Sequence, residues 1–239
     1  MIPKIIHYCW FGGKPLPSSA LKCIESWKEF FPDYEIKEWN ESNFDINSIP
    51  YIKDAYADKK YAFVSDYARF KILYENGGIY FDTDVEVINS LENLIANGDI
   101  MGCEIDGNEL KQTFPSIAPG LILVSRKEHP LYKEILEKYN QLNYFEEDGT
   151  FNKYTMIPLV TDLLKSKGLK PIYGIQDING INIYPSEYFN PLDLTTGKLK
   201  ITNNTRTIHW FMASWLPPQP KWKKKTKQYI RRILKLIRR

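Results

Sequence analysis

Apolar and polar positions along the chain switch between a period near two and a period near 3.6, the pattern of an α/β protein. Residues 4–10 form a short apolar, β-favouring run that ends at Gly12-Gly13, which predicts a strand opening into a loop. Ser18 or Ser19 is placed to cap a helix running through about residue 31, with Leu21, Ile24, Trp27 and Phe31 as its buried stripe. Pro32-Asp33 ends that helix, and residues 34–39 predict a second strand. A strand, helix, strand unit of this kind implies parallel pairing. Residues 40–60 are polar, contain Pro50 and read as irregular. The strongest helical pattern covers 61–75, where Phe63, Tyr67, Phe70 and Tyr74 trace one face and Asn76-Gly77-Gly78 supplies the stop.

Ile79-Tyr80-Phe81 then reads as a core strand that carries Asp82-Thr83-Asp84 at its end, with Val85, Val87 and Ile88 resuming the apolar pattern. Further strands are predicted at 100–103 and 117–124, and helices at 131–140 and 153–167, the second interrupted at Pro158. Beyond Gly168 the pattern weakens, leaving 181–184 and 207–211 as short strand candidates. No repeat occurs, and Pro217-Pro218-Gln219-Pro220 is the one clear boundary. The expected organisation is a single domain over 1–216 followed by a tail over 217–239.

Charge sharpens that division. The 239 residues carry a net +3, yet 221–239 holds six Lys, four Arg and no acid, so the first 220 residues stand at −7. An acidic body argues against nucleic acid as a partner. In the tail, Tyr229, Ile230, Ile233, Leu234 and Ile237 share a helical face, with Lys227, Arg231, Arg232, Lys235, Arg238 and Arg239 mainly around it. With Trp222 available near the headgroups, this is the pattern of a basic amphipathic helix lying on an anionic membrane surface. The longest strictly aliphatic run, 121–124, is far below the ~20 residues of a spanning helix. The N-terminus lacks the features of a secretory signal, and Cys9, Cys23 and Cys103 have neither metal-ligand nor redox spacing. The expectation is a cytoplasmic body with buried reduced thiols, peripheral on the inner face of the cell membrane.

Asp82 and Asp84 are the first candidates for chemistry. In extended chain, residues two apart share a face about 6.6 Å apart, so both carboxylates can converge on one ion. Two hard oxygen ligands suit Mg²⁺ or Mn²⁺ completed by a diphosphate, although a solvent-facing acidic turn has the same sequence. Asp66 and Arg69 are three apart on the long helix. They read either as an acceptor and a forked donor gripping sugar hydroxyls, or as an ordinary ion pair.

Taken together, the Ser65-Asp66-x-x-Arg69 helix, the Tyr74-x-x-Gly-Gly-x-Tyr80-x-Asp82-x-Asp84 block, the opening Ile5-Ile6-His7-Tyr8-Cys9-Trp10-Phe11-Gly12-Gly13 strand and the late His209-Trp210 and Ser214-Trp215 pairs resemble glycosyltransferase family 32. That family includes capsular polysaccharide sugar transferases and fungal initiating mannosyltransferases, and its core motifs are similar to the catalytic domains of large glucosylating toxins. The resemblance implies a GT-A fold: one Rossmann-like domain with a mixed, mostly parallel sheet flanked by helices. It implies that Asp82 and Asp84 hold a divalent metal with the diphosphate of a nucleotide sugar, joined by His209. It places Asp66 and Arg69 on the donor sugar, Trp10 on the base, and Gly12, Gly13, Ser65 and Tyr80 around the nucleotide. Ser214 and Trp215 would close over the phosphates. The reaction implied is hexose transfer, with retention at the anomeric carbon, from a donor such as UDP-galactose, UDP-glucose or a UDP-N-acetylhexosamine to a glycan. Tail and resemblance together point to a lipid-linked acceptor.

Other readings stand beside these. Trp10 also fits a core position, His209 a satisfied buried imidazole, and Trp215 a packing anchor, while His7 and His129 read as structural. A strand-end Asp-x-Asp serves haloacid-dehalogenase-like phosphatases as nucleophile and acid, but that signature continues to Thr where this chain has Glu86. A non-catalytic membrane-binding module is the remaining class.

Overall fold

The computed structural model describes residues 1–212 apart from 151, 153 and 195. Its first strand, β1 (Ile5–Cys9), is followed by α1 (Ser18–Phe30) and by β2 (Glu35–Trp39), which pairs with β1 in parallel from Ile5↔Glu35 to Cys9↔Trp39. The buried face of α1 is Ala20, Cys23, Ile24 and Trp27, whereas Leu21 is 47% exposed. Trp27 sets this orientation, because its indole N–H donates to Val85 C=O at 2.7 Å and Leu21 lies about 120° round the helix from it.

The stretch expected to be irregular contains α2 (Pro50–Ala57), with Pro50 at the first helical position, where a missing N–H costs nothing. Then come α3 (Tyr61–Asn76), β3 (Gly78–Tyr80), β4 (Val85–Val87), α4 (Glu92–Ala96) and β5 (Asp99–Ile105). α3 is buried on more than the expected face, with Val64, Ala68, Arg69, Ile72 and Leu73 enclosed and Phe63 and Tyr74 only partly covered. The strand expected over 117–124 is two strands, β6 (Ser116–Ile117) and β7 (Leu123–Ser125), separated by a turn through Gly120. α5 (Pro130–Tyr139) precedes α6 (Met156–Ser166), which begins just before Pro158 and so holds it harmlessly in its first turn. The remainder is β8 (Gln176–Ile178), β9 (Ile181–Tyr184), α7 (Ser186–Phe189), β10 (Leu192–Asp193), β11 (Lys198–Leu199) and β12 (Thr207–His209).

The main sheet has the order β2-β1-β3-β7-β5-β9-β8, with β6 paired to β5 off this path. β1, β2, β3, β5 and β9 run one way, and β7 and β8 run against them. Helices flank the sheet and bury a core on each face. Phe70, Tyr132 and Leu164 lie on the α3 side, and Trp27, Phe81 and Phe189 on the α1 side, each 0% exposed. Burial of side chains this large contributes about 1.5–3 kcal/mol apiece. Cys9, Cys23 and Cys103 are free and buried as expected, and burial pushes each thiol up to about 12.

A separate two-stranded ribbon positions the site. β12 pairs antiparallel with β4, His209 opposite Val85, so a residue late in the chain returns to the aspartate turn.

Candidate active site

α3 ends at Gly77, whose positive φ of 66° suits glycine and turns the chain directly into β3. Along this short strand Tyr80 packs with the α3-side core and Phe81 with the opposite one, so Asp82 returns to the α3 side. There Tyr80 Oη donates to Asp82 Oδ1 at 3.0 Å. The two aspartates do not converge by strand alternation: Val85 N–H donates to Asp82 C=O at 3.0 Å, so Asp82-Thr83-Asp84 is a tight turn.

Arg69 joins helix to turn. Its Nη2 lies 3.1 Å from Asp66 Oδ1 and 3.1 Å from Asp82 Oδ1, and its Nε donates to Ser65 C=O at 3.1 Å. The guanidinium sits 4.9 Å from the Tyr80 ring centroid. Arg69 is 3% exposed, yet its Nη1 has no hydrogen-bond partner. Burial pushes the Asp66 carboxyl up to about 6 despite the Arg69 cation, and the Asp82 charge adds to the rise. Asp82 is raised for the same first reason, with Arg69 opposing and Asp84 reinforcing.

A second cluster adjoins it. His209 Nε2 lies 3.1 Å from Asp84 Oδ1, and Met212 N–H donates to Asp84 Oδ2 at 2.8 Å. Although burial opposes ionisation, the hydrogen bond and charge of His209 hold Asp84 below the usual carboxylate range. Burial likewise opposes protonation of His209, but the hydrogen bond and charge of Asp84 raise it, with Asp82 and Glu104 adding. Asp82, Asp84 and His209 offer ligand atoms within 4.8 Å of one another, and His209 Nδ1 is buried without a partner. Two carboxylate oxygens and an imidazole nitrogen fit Mn²⁺ or Mg²⁺, the nitrogen suiting Mn²⁺ better.

Both clusters open into a cleft of about 1080 Å³, the size of a site for a substantial small molecule. Trp10, Ser65, Asp66, Arg69, Asp82, Asp84 and His209, all candidates from the sequence, line it together. Tyr80 stands behind the wall at 1% exposure, acting through Arg69 and Asp82. Gly12 and Gly13 shape the loop behind Trp10 without lining the cleft; Gly12 N–H is held by Glu41 Oε1 at 2.6 Å. Ser214, Trp215 and the tail residues from Trp222 to Ile237 lie outside the described residues. His7 and His129 are buried away from the cleft, in line with a structural role.

Sequence reasoning missed Gly120 and Glu104, which also line the cleft. A Cβ on Gly120 would overlap Asp82 Oδ2 and crowd Arg69 Nη1, so the turn comes this close only as glycine. Its one signal was a glycine inside an apolar run. Glu104 offered a single charge ending an apolar strand pattern.

A glycosyltransferase sugar-binding region containing a DXD motif matches residues 17–100, which hold Asp66, Arg69, Asp82 and Asp84. The chain is 27% identical over 233 residues to "Uncharacterized glycosyltransferase L373" of Acanthamoeba polyphaga mimivirus, covering 91% of this chain and 85% of that one. It is 33% identical over 98 residues to inositol phosphoceramide mannosyltransferase 3 of Schizosaccharomyces pombe, covering 39% of this chain and 27% of that enzyme. Among solved structures, PaToxG glycosyltransferase matches with a TM-score of 0.54 and 20% identity, over 70% of each chain. That likeness is one of fold, and the fold is the GT-A architecture expected from the motifs. The phosphatase and non-catalytic readings give way.

Proposed function

We propose that this chain, a glycosyltransferase of the DXD type, transfers a hexose from a nucleoside diphosphate sugar to a hydroxyl of a lipid-linked glycan, with retention at the anomeric carbon. The observation that carries this reading is the meeting of Asp66, Arg69 and Asp82 with Asp84 and His209 at one cleft. Asp82, Asp84 and His209 would hold a divalent ion, Mn²⁺ or Mg²⁺, which when bound would neutralise charge on the departing diphosphate.

The chain's own residues do the rest. Trp10 offers an aromatic face to the base, with UDP as the favoured nucleotide and galactose, glucose or an N-acetylhexosamine as its sugar. Arg69 brings an unpartnered buried N–H to the donor sugar, and Asp66 accepts from a sugar hydroxyl. Holding the sugar on both sides presents one face of the anomeric carbon to the acceptor. No carboxylate is required as a covalent nucleophile, so substitution proceeds on the face the diphosphate leaves.

The basic tail supports a peripheral location on the inner face of the cell membrane, and with it a role in capsular or other surface-polysaccharide assembly. Among the described residues no helix is long and apolar enough to cross a membrane.

A donor screen by thermal shift with Mn²⁺, followed by transfer and an anomeric assignment by NMR, tests the reading. A β-linked product from a UDP-α-hexose overturns retention. Anionic liposome binding that survives truncation after Pro220 overturns the anchor.

A further inference from the structure

The geometry points to Glu104 as the residue that receives the acceptor, hydrogen-bonding its hydroxyls and selecting a neutral sugar over an acidic one. This rests on the transferase reading above.

The cleft follows one edge of the sheet, passing from Trp10 after β1, to Asp82 after β3, to Leu121 before β7, to Glu104 near the end of β5. Neighbouring strands stand about 4.8 Å apart, which puts Glu104 roughly 10 Å beyond β3, on the side away from Trp10. A donor with its base at Trp10 and its diphosphate at Asp82, Asp84 and His209 therefore occupies the β1 and β3 part of the cleft. The β5 part is left for the second substrate.

Glu104 is suited to hold it. The other acids of this strand and its exit are engaged: Asp99 accepts from Arg126 N–H at 3.1 Å, and Asp106 accepts from Ser186 N–H and Oγ, both at 2.7 Å. The Glu104 side chain makes no hydrogen bond or ion pair among the described residues, although it faces the cleft and is partly buried. Its charge is balanced at longer range by His209, and its oxygens are free to accept hydrogen bonds from a ligand. Sugar hydroxyls are suitable donors, and Ala118, Leu121, Ile157 and Phe211 provide an apolar wall for the ring's C–H face.

The Glu104 carboxylate itself sets the class of sugar, because the rest of the cleft is of mixed charge, with Lys14, Lys59, Lys60 and Arg69 beside Asp66, Asp82 and Asp84. A uronate or phosphate placed against Glu104 meets like charge at that carboxylate, whereas a neutral hexose meets a hydrogen-bond acceptor there.

The test uses the full chain with Mn²⁺ and UDP-galactose, UDP-glucose or UDP-N-acetylglucosamine. Acceptors are matched pairs of p-nitrophenyl glycosides, galactoside with galacturonide and glucoside with glucuronide. Wild type should use the neutral member of a pair. Glu104→Ala should raise its KM about 10- to 100-fold, the loss of a hydrogen bond to a charged group. Glu104→Gln should narrow the preference for neutral over acidic acceptors, and Glu104→Asp should recover part of the loss. Donor KM should stay within twofold in all three, which also reports that the variants are folded. Preference for the acidic members, an unchanged acceptor KM, or an equal rise in donor KM overturns the assignment. So does donor hydrolysis without transfer to any neutral glycoside. Absence of any donor turnover by wild type refutes the transferase reading itself, and is distinguishable for that reason.

Discussion

Gly120 faces Asp82 so closely that any side chain there displaces the carboxylate, since a Cβ would overlap Oδ2. Asp82 has little room to yield, because Tyr80 Oη and Arg69 Nη2 hold its other oxygen at 3.0 and 3.1 Å. Gly120→Ala should therefore shift Asp82 and lower turnover about 100-fold, the cost of a misplacement near 1 Å. The accompanying overpacking should cost only about 1–3 kcal/mol. Donor kinetics beside thermal unfolding check this, and full activity in the variant would mean the close approach has no bearing on the site.

Arg69 is a buried cation between two partly buried carboxylates, and its loss leaves Asp66 and Asp82 facing each other. Removing one partner of a buried pair costs about 3–5 kcal/mol, so Arg69→Ala should lose much of the protein's stability in urea unfolding. Arg69→Lys keeps the charge but not the fork that reaches Asp66, Asp82 and Ser65 together. It should recover stability in part and leave donor KM raised. Equal donor KM in Arg69→Lys and wild type would remove the guanidinium from donor binding.

Much of this site was legible because its information is local. The period of α3, the glycine stop at 77 and the carboxylates two apart all lie within 61–84, so spacing alone put Asp66 and Arg69 on one face. What spacing could not show was how Asp82 and Asp84 meet, because extended chain and a tight turn share the same motif. Pro50 read as a breaker where its position makes it a helix start. Gly120 and Glu104 depend on contacts between strands far apart in sequence, and no local period records them. The partnership of His209 with Asp84 was reached by resemblance alone, since only the β4 and β12 pairing brings them together.

Asp84 is engaged by His209 and Met212 in the protein itself, so its removal has two effects. Asp84→Asn should weaken Mn²⁺ binding at least 10-fold in titration calorimetry with UDP, and reduce donor turnover about 100- to 1000-fold. His209→Ala should weaken the ion less, because two carboxylates remain. Chelation should abolish wild-type turnover and Mn²⁺ should restore it. Donor turnover that persists in chelator contradicts the assignment of these three residues to a metal.

Stability should fall in mild acid through His7, which is 0% exposed at the centre of β1. Its ring nitrogens are both engaged: Nδ1 accepts from Trp39 Nε1 at 3.0 Å, so Nε2 carries the proton and donates to Gly77 C=O at 2.9 Å. A second proton would set Nδ1–H against the Trp39 N–H. Burial lowers this group from 6.5 to about 4, with the Gly77 bond opposing and the Lys37 charge adding. Between those values the unfolded chain binds more protons here, so the contribution of His7 is complete above pH 6.5 and is lost as pH falls through 4. The loss amounts to at most about 3 kcal/mol. His129, also lowered to about 4, acts in the same sense. Asp66, raised to about 6, acts in the opposite one, its contribution being present at low pH and lost as pH rises through 6. Comparing His7→Gln with wild type isolates the single group. Urea unfolding at pH 7.5 and 4.5 should show the variant losing less stability than wild type over that interval, and equal losses would mean that His7 does not stay neutral in the fold.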